Sequence, residues 1–431
     1  MSALKGLIRK YTITNASMAA AFGLNLPIVT LMFLDKGLTL WDVGLLVSLF
    51  SISTMVFEVP FGTLADSLGR RKVFVLGEMC LIVATGGFWL ADTLPLLMVA
   101  MMFSGMSRAL LSGSLDALFV EQFNELAETA QEKSSYMAAQ ANMTSISTLC
   151  LGLAAILGGL LPMWFAGVTS TTDLIGFYEI NYVILLPITA MHILVTVSLI
   201  EESKLVDKTK ARGQFIKDIG PFIAESMRLV RGSSLLMGLI VVEFLAGIVF
   251  MVLTNLWQPQ MAQLADSKSQ LWLFGVLCSA SFISMSVGYK LAIRCSELLK
   301  NNYVRLLAVL QVLIALAFTA LAIFPHLVGF FVCYVLLSML HGMTIAPTLA
   351  LFHAQVQEQY RSTSLSVKSF FEQCGGLLGA LAGGYIATTE GVSSVWMICA
   401  VLAALTVIVF IHPKFIVAGN RASAQSDQQA T

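Results

Sequence analysis

Residues 62–72 read Gly-Thr-Leu-Ala-Asp-Ser-Leu-Gly-Arg-Arg-Lys and separate two long apolar segments. A short charged turn between two apolar helices is typical of a membrane surface rather than of a soluble core. Gly62 and Gly69 allow close helix approach and unusual backbone angles. The basic run Arg70–Lys72 predicts that the turn faces the cytoplasm, while Asp66 can pair with an arginine or sit near a helix terminus.

The composition indicates that most of the chain lies in lipid. Hydrophobic residues make up 57% of the sequence and charged residues only 12%, with a mean hydropathy of +0.84. The formal net charge of zero argues against a nucleic-acid partner. The seven cysteines have no metal-ligand spacing, so we expect free packing thiols and no metal site. No G-x-x-x-x-G-K-[ST] phosphate loop is present, so neither ATP as a direct energy source nor any other cofactor is expected.

Apolar segments long enough to cross a bilayer, which takes about 20 residues, recur along the chain. We predict twelve, at residues 11–33, 42–64, 73–91, 94–120, 137–165, 182–200, 234–257, 271–291, 303–324, 327–353, 365–388 and 394–412. With the N-terminus inside, basic residues concentrate in the cytoplasmic loops, and only Lys36 and Lys268 fall outside. The prediction is an all-α integral membrane protein of twelve transmembrane helices. It would lie in a bacterial inner membrane with both termini in the cytoplasm.

The chain also repeats itself. Leu153–Gly159 in the fifth span is similar to Leu378–Gly384 in the eleventh, and Gly62 has a weaker counterpart in Gly288 at nearly the same offset. Two similar offsets predict two homologous six-helix halves. Each repeated segment ends in a glycine pair that allows close helix packing: Gly158, Gly159, Gly383 and Gly384.

The predicted organisation follows from this repeat. Residues 1–200 form an N-terminal six-helix bundle and residues 234–412 a C-terminal one. Between them, residues 201–233 form a cytoplasmic linker, in which 215–231 has the spacing of an amphipathic helix. Residues 413–431 are expected to be a disordered cytoplasmic tail because most of them are small and polar.

The pattern G-x-L-A-D-x-x-G-R-R-K resembles the loop motif between helices 2 and 3 of major facilitator superfamily transporters. Arg108 opens Arg-Ala-Leu-Leu-Ser-Gly-Ser, which is similar to the arginine-then-glycine motif on helix 4 of that family. The resemblance covers nearly the whole chain. It implies two pseudo-symmetric six-helix bundles, a drug or metabolite efflux type of activity and a monomer. One departure weakens the case for proton-driven export: residues 154–159 keep the glycine pair of the Gly-Pro-x-x-Gly-Gly signature of antiporters but lack its proline.

The resemblance also implies a conformational latch at the charged loop. Its residues would be Gly62, Asp66, Gly69, Arg70 and Arg71, and they would hold the inner ends of the two halves together. Glu121, at the inner end of the fourth span, matches the acidic partner of this latch in the family. The alternative is that these residues are ordinary surface charges.

Ionisable residues inside the spans are the candidates for proton coupling and substrate binding, because a charge at the bilayer centre costs about 2.5–3.5 kcal/mol. Arg108 and Asp116 are eight residues apart and are expected to share a helix face. Arg108 would hold or tune a proton-carrying acid, or form a fixed buried ion pair. Glu58, beside Pro60, is either a titrating group or a gate contact. Glu78 is expected near the cytoplasmic surface, in a snorkelling or ion-pair role.

Two further acids, Glu243 and Glu372, lie near the middle of their spans in the second half. Lys368 is one helical turn from Glu372 and can neutralise it locally. Glu243 has no basic neighbour in the sequence, so it is the stronger candidate for binding a proton or a cation. Aromatic residues near these acids would suit an amphipathic or cationic organic substrate.

The sequence therefore predicts a secondary transporter, not an enzyme, that exports a small organic molecule such as a drug or a secreted metabolite. It would work by alternating access in exchange for protons, with the substrate, protons and the lipid bilayer as its partners. Two alternatives stay open: a proton-coupled uptake symporter, and a membrane sensor or scaffold that does not transport. The sensor alternative predicts that neutralising Glu58, Asp116 and Glu243 leaves function intact.

Overall fold

Every regular element in the described part of this computed structural model is a helix. The structure describes residues 2–127, 129, 135–171, 174–202, 233–266, 268–300, 302–324, 326–355, 361–415 and 417. The amphipathic helix predicted at 215–231 and most of the tail at 413–431 lie outside these residues.

The helices of the first half of the chain are mainly apolar. They are α1 Ser2–Asn25, α2 Val29–Asp35, α3 Leu40–Leu68, α4 Arg70–Leu90, α5 Leu94–Leu111, α6 Ser114–Leu126, α7 Tyr136–Trp164, the single turn α8 Ala166–Thr169 and α9 Ile180–Leu199. A helix satisfies every backbone hydrogen bond within its own segment, which is why apolar sequence of this length folds as helix in lipid.

The second half continues in the same way. Its helices are α10 Ser234–Leu264, α11 Leu271–Leu298, α12 Tyr303–Ile323, α13 Leu327–Gln355, α14 Arg361–Thr389 and α15 Val392–Ile411. Within the described residues, eleven helical segments are long and apolar enough to span a membrane. The segment predicted at 365–388 is observed as α14, a full-length helix that is not among the eleven and that carries the polar residues Lys368, Glu372 and Gln373.

Two predicted spans are interrupted. The first is divided into α1 and α2 by a turn at residues 26–28, which contains Pro27. The fourth is divided into α5 and α6, because Gly113 adopts a left-handed backbone with φ of 69°. Arg108 and Asp116 therefore lie on different helices, and the prediction that they share one helix face is wrong. Glycine is the residue that takes this conformation without steric cost.

The charged turn at 62–72 is much shorter than the sequence suggests. Helix α3 continues to Leu68 and α4 begins at Arg70, so Gly69 alone joins them. Gly69 has a φ of 102°, a backbone conformation that residues with a Cβ rarely adopt. The motif thus combines the last turn of one helix, a one-residue break and the first turn of the next.

The chain divides into two compact units. Unit 1 comprises Met1–Leu38, Leu49–Asp218 and Asp266–Ser279, and unit 2 comprises Thr39–Ser48, Ile219–Ala265 and Ala280–Thr431. The beginning of α3 thus belongs to unit 2, and the beginning of α11 belongs to unit 1.

Corresponding helices pack in the same way within each unit. In unit 1 these pairs are α1–α7, α4–α5, α4–α9 and α1–α9; in unit 2 they are α10–α14, α12–α13, α12–α15 and α10–α15. Both units therefore contain the same arrangement of helix pairs, in keeping with the internal repeat of the sequence.

The repeated glycines occupy matching places in this arrangement. A Cβ on Gly158 would overlap the carbonyl oxygen of Leu24 on α1, and a Cβ on Gly383 would lie 2.8 Å from Val252 on α10. The second glycine of each pair faces a helix that contributes to both units. Within unit 1, a Cβ on Gly159 would lie 2.7 Å from the carbonyl oxygen of Leu271 on α11. Within unit 2, a Cβ on Gly384 would lie 2.6 Å from the carbonyl oxygen of Leu40 on α3. Small residues thus allow close helix contact at four positions.

Candidate functional site

An ion cluster inside unit 2 joins two of the predicted acids through one lysine. The Lys368 Nζ lies 2.8 Å from Oε2 of Glu243 and 3.0 Å from Oε2 of Glu372. Glu243 is buried, with 6% of its surface exposed, whereas the Glu372 side chain is 39% exposed. Lys368 therefore bridges one acid that has lost nearly all its solvent and one that retains part of it.

Glycines on both helices bring this cluster together. Glu243 lies on α10, while Lys368 and Glu372 lie one turn apart on α14. A Cβ on Gly247 of α10 would overlap the Glu372 carbonyl, and a Cβ on Gly375 of α14 would overlap the Phe244 carbonyl. The two backbones touch at these glycines, so a side chain as long as lysine reaches from α14 to Glu243. Glu243 lacks a basic neighbour in the sequence but has one in the fold.

The charge balance of the cluster determines what it can bind. One ammonium faces two carboxylates, so the fully ionised cluster carries one excess negative charge. Burial makes an uncompensated charge costly, and either a proton or a cationic ligand would remove the excess. The cluster of Glu243, Lys368 and Glu372 can thus bind either a proton or a cationic ligand, and one can replace the other.

A small, partly open cavity of unit 2 is lined in part by residues 245–253 of α10, the helix that carries Glu243. Its wall is mostly aliphatic and aromatic, with polar groups at Gln311, His341, Thr344 and Thr406. The His341 ring stacks on Phe250 with centroids 4.0 Å apart, and His341 lies within electrostatic range of Glu372 and Lys368. An apolar wall with a few polar groups is the usual form of a small-molecule site.

The charged loop of unit 1 forms a second group of contacts. The Arg70 Nε lies 3.9 Å from Oε2 of Glu121 on α6, which is the acidic partner that the sequence suggested. The Arg71 guanidinium donates hydrogen bonds to the carbonyl oxygens of Val197 and Ile200, at the C-terminal end of α9. Arginine at a helix C-terminus satisfies carbonyls that lack an intrahelical partner and complements the helix dipole.

Glu202 belongs to the same group, and sequence reasoning missed it. Its carboxylate accepts hydrogen bonds from the backbone N–H groups of Arg71 and Lys72, at 3.0 and 3.1 Å. A Cβ on Gly69 would lie only 2.5 Å from the carboxyl carbon of Glu202. A carboxylate at a helix N-terminus is a common favourable pairing. The residue was overlooked because it lies at the start of the predicted linker, where a lone glutamate is an ordinary surface residue.

The other predicted site residues are more dispersed. Glu58, Arg108 and Asp116 are exposed residues of α3, α5 and α6 in unit 1, and no ion pair of theirs is found among the described residues. The fixed ion pair considered for Arg108 is therefore not observed there. Gly62 and Asp66 fall within α3, but their side-chain positions lie outside the described part of the chain.

Glu78 differs from the expectation in its burial, although it does have a basic partner. It is buried in unit 1, with 1% of its surface exposed, and its Oε2 lies 2.6 Å from Nδ1 of His192 on α9. The position of this residue along the chain indicated a surface acid, but α4 packs against α9 and covers it. His192 lies more than a hundred residues away in the sequence, so local spacing gives no sign of the contact.

The sequence and fold are similar to those of known transporters. The family model of the Major Facilitator Superfamily matches residues 11–302 and 301–428. An uncharacterized MFS-type transporter, YxaM of Bacillus subtilis (strain 168), is 22% identical over 409 residues, covering 93% of this chain and 94% of YxaM. The quinolone resistance protein NorA of Staphylococcus aureus is 31% identical over 99 residues, covering 23% of this chain and 26% of NorA.

Among solved structures, the nucleoside transporter NupG superposes with a TM-score of 0.71 at 14% identity, covering 94% of this chain and 98% of NupG. At that identity the likeness concerns the fold alone. Because the family model covers nearly the entire sequence and the fold is that of a solved transporter, this chain belongs to the Major Facilitator Superfamily of membrane transporters.

Proposed function

We propose that this protein exports a small amphipathic, cationic organic molecule across a bacterial inner membrane in exchange for protons. The observation that carries the proposal is the Lys368 cluster, in which two carboxylates share one ammonium inside unit 2. A site with one excess negative charge binds either a proton or a cation, and that competition is the simplest basis for antiport.

The order of events follows from the charges. When the cluster is open to the side of lower proton concentration, it loses its proton and attracts the cationic substrate. When it opens to the other side, a proton displaces the substrate. The apolar, aromatic wall of the unit 2 cavity, with Phe250 and Phe318, would favour the hydrophobic part of the molecule. A proton moving inward with the membrane potential provides about 2.3 kcal/mol per 100 mV.

The charged loop is proposed to act as the latch of this cycle. Arg70 and Arg71 tie the beginning of α4 to α6 and to the end of α9. These contacts have to rearrange if α4 moves during alternating access, so loop substitutions would alter the rate of transport more than substrate affinity. We also infer that both termini are cytoplasmic and that the protein works as a monomer.

The similarity to NorA supports efflux over uptake, because NorA is a quinolone resistance protein. That similarity covers about a quarter of either chain, so the cluster remains the principal support.

Proton flux in everted membrane vesicles tests the proposal. The vesicles are energised so that their lumen becomes acidic, and a panel of lipophilic cations is added while lumenal pH is recorded. Export coupled to protons predicts that at least one cation causes proton efflux from vesicles that contain the protein. Glu243→Gln is expected to abolish that efflux. Glu390→Gln, an exposed residue of the same unit, serves as the matched control and is expected to behave like the wild type.

The alternatives give different results in the same assay. An uptake symporter would move substrate and protons in the same direction, so radiolabelled cation loaded into the lumen beforehand would leave it together with protons. A sensor or scaffold would show no cation-dependent flux for the wild type. Either result, or a Glu243→Gln variant that transports normally, would contradict the proposal.

A further inference from the structure

A buried acid–base pair in unit 1 takes no part in the proposed transport site. The Glu78 carboxyl on α4 and the His192 ring on α9 meet at 2.6 Å between Oε2 and Nδ1, and each side chain is 2% exposed. The other ring nitrogen, Nε2, lies 3.0 Å from the backbone carbonyl oxygen of Thr14 on α1. Three helices of unit 1 therefore converge on one imidazole.

Counting protons defines the state of this pair. A carbonyl oxygen can only accept a hydrogen bond, so Nε2 carries a hydrogen and donates it to Thr14. Nδ1 and Oε2 at 2.6 Å also need one hydrogen between them, because two lone pairs at that distance would repel. That hydrogen belongs either to a protonated glutamic acid or to an imidazolium facing a carboxylate. Both descriptions contain the same single proton and leave the pair with no net charge.

We propose that Glu78 and His192 form a proton-binding site inside unit 1, separate from the Lys368 cluster. The site binds one proton between the two side chains, and it releases that proton only when α4 and α9 move apart. Without the proton, a carboxylate and a neutral imidazole would present lone pairs to each other in a buried place where no solvent compensates them.

The surroundings of the pair fit a site that exchanges protons. Thr189 and Thr196 lie three residues before and four residues after His192, on the same face of α9. Both residues are buried, and their hydroxyl oxygens have no hydrogen-bond partner among the described residues. Hydroxyl groups accept and donate, so these two can pass a proton or hold a water molecule beside the pair. This polar stretch covers about 10 Å of the helix.

The stretch points towards one end of unit 1. Thr196 lies in the last turn of α9, next to the carbonyls of Val197 and Ile200 that Arg71 binds. In the other direction, Leu185 occupies the same face and is buried, so the polar stretch is interrupted there by one apolar turn before Tyr182 and Asn181. The proton therefore has a polar approach from the end that carries the charged loop, and one apolar turn at Leu185 separates the pair from the polar groups in the other direction.

The groups facing the His192 ring come from each helix packed on α9. From α4 these are Glu78 and the edge-on ring of Phe74, and from α1 the Thr14 carbonyl. The titratable residues of α7 are Tyr136 and Cys150, and neither forms a hydrogen bond or ion pair with the ring. Within the described residues, Glu78 is thus the group that decides whether a proton stays on this site.

The pH dependence of thermal unfolding tests the site without any substrate. In the unfolded chain the two residues would have ordinary pKa values of about 4.3 and 6.5, so above about pH 7 both have lost their protons. The folded pair still holds one, so unfolding releases a proton and a rise in pH favours unfolding. We expect the melting temperature of the purified full-length protein to fall as pH is raised above neutrality.

Glu78→Gln separates a proton site from a merely structural contact. Its amide donates a hydrogen bond to Nδ1 and preserves the geometry, but it has no proton to release. We expect this variant to fold and to lose the alkaline fall in melting temperature, while Glu125→Gln, an exposed residue of α6, keeps it. Glu78→Met also removes the acid and leaves a neutral imidazole bonded to Thr14, so it should lose the fall as well and serves if Glu78→Gln does not fold.

Two results would overturn the proposal. One is a wild-type melting temperature that does not depend on pH above neutrality. The other is a Glu78 variant that folds and shows the same alkaline fall as the wild type. Neither result would affect the proposed transport function, which rests on Lys368 and on proton flux in vesicles.

Discussion

At the scale of single residues, the ionisation of Glu243 depends on Lys368. Glu243 is buried, and Lys368 is the cation found within reach of its carboxylate in the described part of unit 2. Lys368→Met would leave an uncompensated buried carboxylate, and we expect a loss of about 3–5 kcal/mol in the free energy of unfolding. The measurement is the shift in melting temperature of the purified protein.

A double variant provides the control for that effect. Lys368→Met combined with Glu243→Gln removes both buried charges, and we expect it to recover most of the lost stability. Equal losses in the single and double variants would mean that the ion pair does not determine the stability of this site.

The pKa of Asp266, in the loop between α10 and α11, depends on local hydrogen bonds. The Ser269 hydroxyl and the Lys268 backbone N–H both donate to the Asp266 carboxylate, and they lower its pKa below the ordinary value. Because the pKa is lower in the folded state, ionised Asp266 stabilises the folded turn at pH values above the ordinary aspartate pKa. This contribution is lost as the pH falls through the folded-state pKa. Ser269→Ala should raise the pKa of Asp266, which carboxyl NMR with labelled aspartate would detect; an unchanged pKa would show that the hydroxyl is not its main cause.

The sequence was sufficient to find the members of the cluster but not its geometry. Glu243 and Glu372 are conspicuous because acids are rare in apolar spans, and Lys368 follows from its position one turn before Glu372. The contact between Lys368 and Glu243 depends on where α10 and α14 touch, and glycine contacts between helices set that point. Residue spacing along one helix carries no such information.

At the scale of helices, the glycine contacts are expected to tolerate no side chain. Gly158 faces the Leu24 carbonyl of α1, and Asn181 of α9 donates to the carbonyl oxygens of both Leu24 and Gly158. Gly158→Ala would force α1 and α7 apart and disturb these bonds. We expect a loss of about 1–3 kcal/mol, as for other overpacked interiors, measured as a lower melting temperature.

Gly86 in α4 is the matched control, because a Cβ there would meet no atom within 4 Å. Alanine is a better helix former than glycine by up to about 1 kcal/mol, so Gly86→Ala should be neutral or stabilising. A similar loss for both variants would mean that helix propensity, and not the close approach of α1 and α7, explains the effect.

Helix positions were largely predictable and helix boundaries were not. Apolar length alone located the spans, but α3 extends beyond its predicted end because Leu64, Ala65 and Leu68 continue the helix into the charged motif. Hydropathy also gave no sign of the break between α5 and α6, because Gly113 lies in an otherwise apolar run and a lone glycine is common inside membrane helices.

At the scale of the whole molecule, the distribution of charge predicts orientation. The two lysines assigned to external loops both lie near acidic residues within unit 1. Lys36 pairs with Glu179 and with Asp92, and Lys268 lies 3.8 Å from Asp35. The orientation rule counts lysines and arginines rather than net charge, and only these two lysines stand against the many basic residues of the opposite loops, so those loops are expected to be cytoplasmic.

A reporter fused to the C-terminus tests this orientation. A cytoplasmic C-terminus predicts that fused green fluorescent protein is fluorescent and that fused alkaline phosphatase is inactive. The reverse pattern would contradict the proposed topology and would place the charged loop outside the cell.

If the Lys368 cluster binds either a proton or a cation, cation binding has to release a proton. A lipophilic cation that the protein transports is added to purified protein in a weakly buffered solution, slightly below neutral pH, while a pH indicator records proton release. We expect about one proton released per cation bound, and no release from Glu243→Gln. Cation binding without proton release from the wild type would contradict this expectation.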